Sequence, residues 1–380
     1  MNYGEKSLKL HRRMRGKIEM RSKVSLTTRD DLSVAYTPGV GVVSSAIGND
    51  KNLSWVLTNR ANQVAVVSDG TAVLGLGDIG PEGAMPVMEG KAIIFKEFAG
   101  IDATPLCIDT KDVDEIVRFC KLIQPSFAGI NLEDISAPRC FDILERLENE
   151  LDIPVFHDDQ DGTAIVVLAA LLNACRVSGK TIKDLRIVVN GGGAAGFAVA
   201  RLILTQKPKD LIMLDSKGII YDGRSDMNVY KNKIAKITNK KKMQGDLSMA
   251  MNGADVFIGL SKGNLVSAEM VRSMNERPFV FAMANPTPEI MPDEAQRGGA
   301  FIVGTGRSDF PNQINNALVF PGIFRGLLDN KIKKVTEKMK IAAAYALADS
   351  IKRPRTDKIL PDITEKKVVK IIARALIRKE

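Results

Sequence analysis

The 380-residue sequence predicts an α/β protein of two α/β units, the second a Rossmann-type doubly wound parallel sheet, with helical segments at both ends. Three observations carry that expectation. Short apolar runs alternate with helical patterns through the first 160 residues, the signature of a parallel sheet covered by helices. A Gly-x-Gly-x-x-Gly turn at 191–196 sits directly between an apolar strand and a helix. Acidic residues gather just beyond two of the predicted strands, where α/β proteins place their ligand sites.

In the first unit, strands are expected at 64–67, 72–76, 104–108, 127–130 and 153–156, and helices at 112–123 and 138–150. Residues 1–35 precede it and read as helical and charged. The apolar run 163–172 is long enough for a buried helix and too short to cross a membrane. In the second unit, strands are expected at 185–189, 210–214, 254–260, 278–283 and 301–303. Helices at 329–351 and 365–378 follow. The expected division is therefore 1–160, 161–325 and a helical tail 326–380, which can pack back on the first unit.

Composition is that of an ordinary globular protein, 45% apolar and 26% charged. The four cysteines, Cys107, Cys120, Cys140 and Cys175, have neither C-x-x-C nor zinc spacing and read as reduced. The basic N-terminal stretch lacks an apolar segment, so no secretory signal is expected, and cytoplasm is the expected compartment. The net charge of +9 concentrates its lysines at 231–242 and after 331. Without interleaved aromatic residues this reads as a solvated face that attracts small anions, and no nucleic-acid or membrane partner is expected.

In the dinucleotide turn, Gly191 allows the tight bend and Gly193 lets backbone approach a pyrophosphate. Ala194 and Ala195 open the helix whose N-terminus faces that group, and Gly196 permits close helix–strand packing. Asp215 ends the next strand, 19 residues after Gly196, where an acid accepts hydrogen bonds from the ribose hydroxyls. Its charge opposes a 2′-phosphate and so favours NAD, while the adjoining Ser216 and Lys217 suit NADP.

The first unit carries the candidate chemistry. Three carboxylates fall within four residues at Asp158, Asp159 and Asp161, between a strand and a helix, with Asp161 placed to cap that helix. Glu133 and Asp134 end another strand in the same way. Converging carboxylates repel unless a cation compensates them, and an all-oxygen set drawn from Glu133, Asp134 and one of Asp158 and Asp159 suits Mg²⁺ or Mn²⁺. His157 has no place in such a set. Lys91 reads as the head of an apolar helix, where burial and the helix N-terminus both disfavour its charge and make it a base. Tyr36, before the turn Thr37-Pro38-Gly39, is a candidate proton donor. The glycines of Gly75-Leu76-Gly77-Asp78-Ile79-Gly80 allow a close backbone approach.

Taken together, several segments resemble a malic enzyme of the short prokaryotic type: Tyr36-Thr37-Pro38-Gly39-Val40, the stretch 75–91, Phe95-Lys96-Glu97-Phe98-Ala99-Gly100-Ile101-Asp102, Asn131-Leu132-Glu133-Asp134 and Phe156–Ala164. Asp215-Ser216-Lys217-Gly218, Ala284-Asn285-Pro286-Thr287-Pro288-Glu289 and the stretch 307–316 extend the resemblance to almost the whole chain. It implies metal-dependent oxidative decarboxylation of (S)-malate to pyruvate and CO₂ with NAD or NADP, and decarboxylation of oxaloacetate. It further implies Lys91 as general base, Tyr36 as general acid, Asp158 as the neighbour that tunes Lys91, and Glu133, Asp134 and Asp159 as metal ligands. Asn285 and Asn315 would hold substrate or nicotinamide, and a homodimer is expected. The large eukaryotic branch has a malate-binding arginine where this chain reads Thr71-Ala72-Val73, which leaves the carboxylate-binding group open. Alternatives are malolactic conversion on the same fold and a non-catalytic dinucleotide sensor with a basic partner-binding face.

Overall fold

The structure, a computed structural model, describes residues 3–377. Four helices come first: α1 (Tyr3–Met14), α2 (Arg29–Ala35), α3 (Val40–Asn49) and α4 (Ser54–Leu57). None of them contains a buried residue. The first sheet is built from β1 (Gln63–Ser68), β2 (Asp102–Cys107), β3 (Gly129–Leu132) and β4 (Val155–His157). All its pairings are parallel, in the order β2-β1-β3-β4. Helices α5 (Gly80–Ala99), α6 (Val113–Ile123) and α7 (Arg139–Glu150) make the crossovers. Strands β1, β3 and β4 are buried almost throughout, which explains their unbroken apolar runs.

The expected strand at 72–76 does not form. Gly70 and Gly77 adopt positive φ on either side of it, and Val73 pairs back on Gly77 in a tight turn around Leu74–Leu76. Strand β1, which the run directly follows, already has a neighbour on each side and offers it no edge.

Helix α8 (Thr163–Ser178) crosses to the second sheet. With the single π-turn at Asp158–Gly162 it is 21 residues long and apolar enough to span a membrane by length and composition, which corrects the shorter reading from sequence. That segment is 89% buried inside the protein, packed against α9 (Ala194–Leu204) and α15 (Glu337–Asp349). The second sheet contains β5 (Arg186–Asn190), β6 (Asp210–Asp215), β7 (Gly218–Ile219), β8 (Val256–Gly259), β9 (Phe279–Ala282) and β10 (Ile302–Thr305). Its order is β10-β9-β8-β5-β6-β7 and only β6–β7 is antiparallel. The order reverses between β5 and β8, which opens the crevice a doubly wound sheet offers a dinucleotide. Short helices α10 (Val229–Ala235), α11 (Leu247–Met251), α12 (Ala268–Arg272) and α13 (Pro292–Arg297) complete this unit.

After it come α14 (Phe320–Asp329), α15 and α16 (Lys367–Ala375). Position 378 of the expected last helix lies outside the described residues. Helix α14 packs on the first unit: Phe320 and Phe324 meet Phe95 of α5 at ring distances of 4.7 and 5.1 Å, and Phe324 meets Phe156 of β4 at 5.9 Å. Gly129 leaves the room for this, since a Cβ there would lie 3.1 Å from the Phe324 ring. The aromatic contacts bring α14 under the acidic tip of the first sheet.

Candidate active site

Strands β3 and β4 run side by side and end in Glu133-Asp134 and Asp158-Asp159. One ligand oxygen from each of Glu133, Asp134 and Asp159 lies within 4.8 Å of the others, close enough for one ion to reach all three. Asp134 is turned into place by a left-handed backbone, φ 54°, and its N–H donates to Asp159 Oδ2 at 2.8 Å. Asn131 Nδ2 donates to Glu133 Oε2 at 2.8 Å and holds that carboxylate from behind.

Lys91 reaches the same cluster from α5. Its Nζ lies 2.6 Å from Asp158 Oδ2, 2.8 Å from Glu133 Oε1 and 4.3 Å from the centre of the Phe320 ring. The residue is 8% exposed. Two parts of the sequence reading change here. Lys91 lies inside α5, well past its N-terminus, so the helix dipole does not act on it as expected. Burial would lower its pKa, but Asp158, Glu133 and Asp159 overcome that and hold the ammonium group above the ordinary lysine value. Lys91 is thus held as the ammonium form here, the reverse of the neutral base expected from the sequence.

The carboxylates are raised in turn. Burial pushes Asp158 up to about 7 despite Lys91. Burial and neighbouring acids raise Glu133, Asp134 and Asp159 as well. Asp134 Oδ2 and Asp158 Oδ1 are buried without a hydrogen-bond partner. Four carboxylates and one ammonium leave surplus negative charge and unused oxygens, so the donor set fits a hard divalent cation. Buried His157 sits 3.8 Å from Asp159, and desolvation lowers its pKa to about 4, which leaves it neutral. Asp161 does not cap α8: the π-turn carries the chain into the helix without a side-chain cap, and Asp161 pairs instead with Lys340 of α15 at 2.7 Å.

Tyr36 stands apart from this cluster. It is 64% exposed, and its side chain has no hydrogen-bond or ring contact with Lys91 or the acids among the described residues.

At the second sheet, the glycine-rich turn takes the form its spacing implies. Gly191 has φ 153°, a Cβ on Gly196 would fall 1.9 Å from the Gly191 carbonyl oxygen, and the space beside Gly193 is open. Ala194 and Ala195 form the first turn of α9. Asp215 is fully engaged. Oδ1 accepts from the Lys217 N–H and Arg224 Nη1, both at 3.0 Å, and Oδ2 accepts from Arg224 Nη2 and Lys231 Nζ. Burial would raise its pKa, but these donors bring it down to about 2. The charge expected to repel a 2′-phosphate is therefore offset by two cations, and Lys231 leaves the solvated face to which the sequence assigned it. Arg224 and Lys231 gave no motif; the only hint is a buried strand-tip acid that needs counter-charge.

Asn285 follows β9 at a cis Asn285–Pro286 bond, and its carbonyl faces the first unit so closely that a Cβ on Gly75 would lie 2.0 Å from it. This is the close approach that the Gly75–Gly80 run anticipates. Asn315 turns out to cap the short helix Asn316–Leu318, accepting from the Ala317 N–H at 2.9 Å. Its amide N–H₂ is not used in that bond. A cavity of about 740 Å³ lies elsewhere, between α7, α9, α10 and the start of α15, and meets the acidic turn through Gln160 and Asp161.

Residues 15–148 match the malic enzyme N-terminal domain, and residues 160–380 match the malic enzyme NAD-binding domain. The chain is 51% identical to a bifunctional malic/malolactic enzyme of Bacillus subtilis, over all of this chain and 93% of that one. It is 50% identical to an NAD-dependent malic enzyme of Geobacillus stearothermophilus, over 99% of this chain and 79% of that one. Among solved structures, an NAD-dependent malic enzyme from Thermotoga maritima superposes with a TM-score of 0.93 at 48% identity, covering 97% of this chain and 98% of that one. Sequence, architecture and the paired acid tips agree, and the chain belongs to the malic enzyme family.

Proposed function

We propose that this protein carries out divalent-metal-dependent oxidative decarboxylation of (S)-malate to pyruvate and CO₂, with NAD or NADP as oxidant. The observation that carries the reading is Lys91, buried between Asp158 and Glu133 and beside the three converging carboxylates. Glu133, Asp134 and Asp159 would hold the ion. When bound, the ion polarises the C2 oxygen of the substrate and the nicotinamide accepts the C2 hydride. The residues of the chain manage the protons. Lys91, once its acidic neighbours are engaged by the ion, takes the proton of the C2 hydroxyl. Asp158 keeps the ammonium form in place afterwards. Tyr36 protonates C3 after CO₂ departs. Asn285 and Asn315 hold substrate or nicotinamide. The units expected at 1–160 and 161–325 would form the two walls of the cleft, with α14 to α16 bracing them.

A second copy of the chain belongs to this reading. Helices α1 to α4 contain no fully buried residue, and Val34, Val42 and Val56 on α2, α3 and α4 are each 77% exposed. An apolar surface of that extent is covered by a partner in a stable protein. In a homodimer the exposed Tyr36 of one copy is available to the Lys91 cluster of the other. Mixing Tyr36→Phe with Lys91→Ala protein, then allowing subunits to exchange, is expected to restore activity that neither variant has. No restoration would place both groups in one subunit.

The reading as a whole is tested by supplying malate, Mn²⁺ and either dinucleotide and following reduction of the cofactor. No reduction with either would sink it. The relative named a bifunctional malic/malolactic enzyme favours a second outcome on the same site, in which the cofactor stays bound and lactate appears. Analysis of the organic product separates the two. A cytoplasmic location follows only from the reduced cysteines and is tested by fractionation.

A further inference from the structure

Glu289 is a buried carboxylate that neither the metal cluster nor the glycine-rich turn uses. It is 0% exposed, and no cation pairs with it among the described residues. Its two oxygens each accept a backbone N–H at 3.0 Å: Oε1 from Ser261, just past β8, and Oε2 from Ala284, just past β9. Its own carbonyl accepts from Leu265 and Val266, each at 2.9 Å, which fixes the backbone beneath the carboxylate. Gly259 at the end of β8 is bare to make room, since a Cβ there would lie 2.3 Å from the Glu289 carboxyl carbon.

The connection continues on both sides. The Ser261 hydroxyl accepts from Asn190 Nδ2 at 3.0 Å, and the Leu260 N–H donates to the Asn190 carbonyl at 2.8 Å. Asn190 ends β5 and leads straight into Gly191. On the other side, Ala284 leads straight into Asn285, whose carbonyl is packed against Gly75 of the first unit. The carboxylate thus ties the segments just past two neighbouring strands, β8 and β9, and Ser261 carries the link on to Asn190 at the end of β5. Only a carboxylate accepts on both oxygens. A glutamine of the same shape would turn an N–H₂ donor toward one of the two N–H groups. A buried acid without a counter-ion is otherwise costly, so its presence calls for a task that needs two acceptors.

We infer that Glu289 is a positioning residue that sets the distance between the glycine-rich turn and Asn285, and so places the nicotinamide end of a bound dinucleotide relative to its pyrophosphate. This rests on the dinucleotide-binding part of the proposed function. In a doubly wound sheet the dinucleotide crosses the strand tips at the order reversal, with its two halves on opposite sides of it. The tips Glu289 joins lie on the side of β8 and β9.

The test compares two ligands on the full-length protein. ADP-ribose carries the pyrophosphate half without nicotinamide; NADH carries both. In Glu289→Gln, ADP-ribose is expected to bind within about twofold of wild type and NADH about tenfold more weakly. With deuterium at C2 of malate, the isotope effect on kcat is expected to rise, because hydride transfer from a misplaced donor becomes the slower step. A Glu289 that only braces the sheet would lower thermal stability with the ratio of the two affinities unchanged, and that result overturns the inference. Equal weakening of both ligands overturns it too. If Glu289→Gln fails to fold, Ser261→Ala removes the Asn190 link alone; it is expected to change the same ratio about threefold, and an unchanged ratio in it overturns the inference. Wild type that binds NADH but leaves malate unreacted would sink the proposed reaction and leave this inference standing. Wild type that binds neither ligand overturns both.

Discussion

At the tips of β3 and β4, four carboxylates face one ammonium group, and Asp134 Oδ2 and Asp158 Oδ1 are buried with no partner. At the tips of β6 and β9, the carboxylates of Asp215 and Glu289 find a donor for each oxygen within the chain. The first arrangement leaves carboxylate oxygens without a donor from the chain. The second is complete before any ligand arrives. Ionisation separates only the acid that has cations beside it: burial and like charge raise the acids of the first sheet and burial raises Glu289, whereas Arg224 and Lys231 lower Asp215 to about 2 against the pull of burial. A protein can therefore use strand-tip acids as ligands or as braces, and the count of donors supplied by the chain itself tells which.

The largest effect that would break this contrast concerns Lys91. Lys91→Ala is expected to cut kcat roughly 10²- to 10⁴-fold, the usual contribution of a positioned general base. It also leaves Asp158 and Glu133 buried without their cation, so the metal-free variant should be less stable at neutral pH than the metal-loaded one. Full turnover in a folded Lys91→Ala protein would remove the base from the first sheet and leave its acids without a chemical purpose.

The next effect is on stability and has a definite sign. Acids whose folded pKa lies above the unfolded value bind protons more tightly in the folded state. They penalise folding increasingly as pH rises from the ordinary carboxylate range, toward about 7 for Asp158. Metal-free protein should accordingly lose stability between mildly acidic and mildly alkaline pH. Mn²⁺ should restore more of it at the alkaline end, by about 2.7 kcal/mol at one hundred times its Kd. Thermal unfolding with and without Mn²⁺ across that range measures this, and Asp159→Asn should remove most of the metal-induced gain. Asp215 supplies the opposite slope. Its lowered pKa makes a contribution that is full at neutral pH and is lost only in strong acid, as pH falls from the ordinary carboxylate value through about 2. A metal-induced gain that is flat with pH would show that the raised acids are not the ligands.

How much of this was legible in the sequence follows the same division. Motifs of fixed local spacing survive translation into structure: the glycine-rich turn, the acid pairs after β3 and β4, and the alternation that gives one parallel sheet and one parallel but for β6–β7. What failed depended on neighbours far along the chain. The run 72–76 looked like a strand because it is apolar, but both edges of β1 are taken by β2 and β3. Asp161 looked like a helix cap because it precedes α8, yet its partner Lys340 lies on α15. Lys91 looked like a helix-head lysine with depressed basicity, and three carboxylates from two other strands reverse that. Phe320, which lies over the Lys91 ammonium, is more than two hundred residues away in sequence. Such pairings obey long-range topology, which local periodicity does not encode.

The smallest effect sharpens the comparison at the second sheet. Asp215 favours NAD only while its charge is felt by the ribose, and here Arg224 and Lys231 cancel it. Lys231 is the more exposed and flexible of the two cations, 21% against 9% exposed, and so is freer to leave Asp215 for a 2′-phosphate. Lys231→Ala removes that option and strips Asp215 of one counter-charge, while Arg224 keeps its two-point hold. Both changes disfavour the phosphorylated cofactor. The variant is therefore expected to lower kcat/KM for NADP about tenfold relative to NAD, the worth of one charge-assisted hydrogen bond. Thermal stability should barely move, since the pair is only one of Asp215's contacts. Parallel kinetics with the two dinucleotides decide it. An unchanged ratio would mean that Lys231 stays on Asp215 when cofactor binds, which would make this tip a pure brace and Asp215 a bystander to cofactor choice.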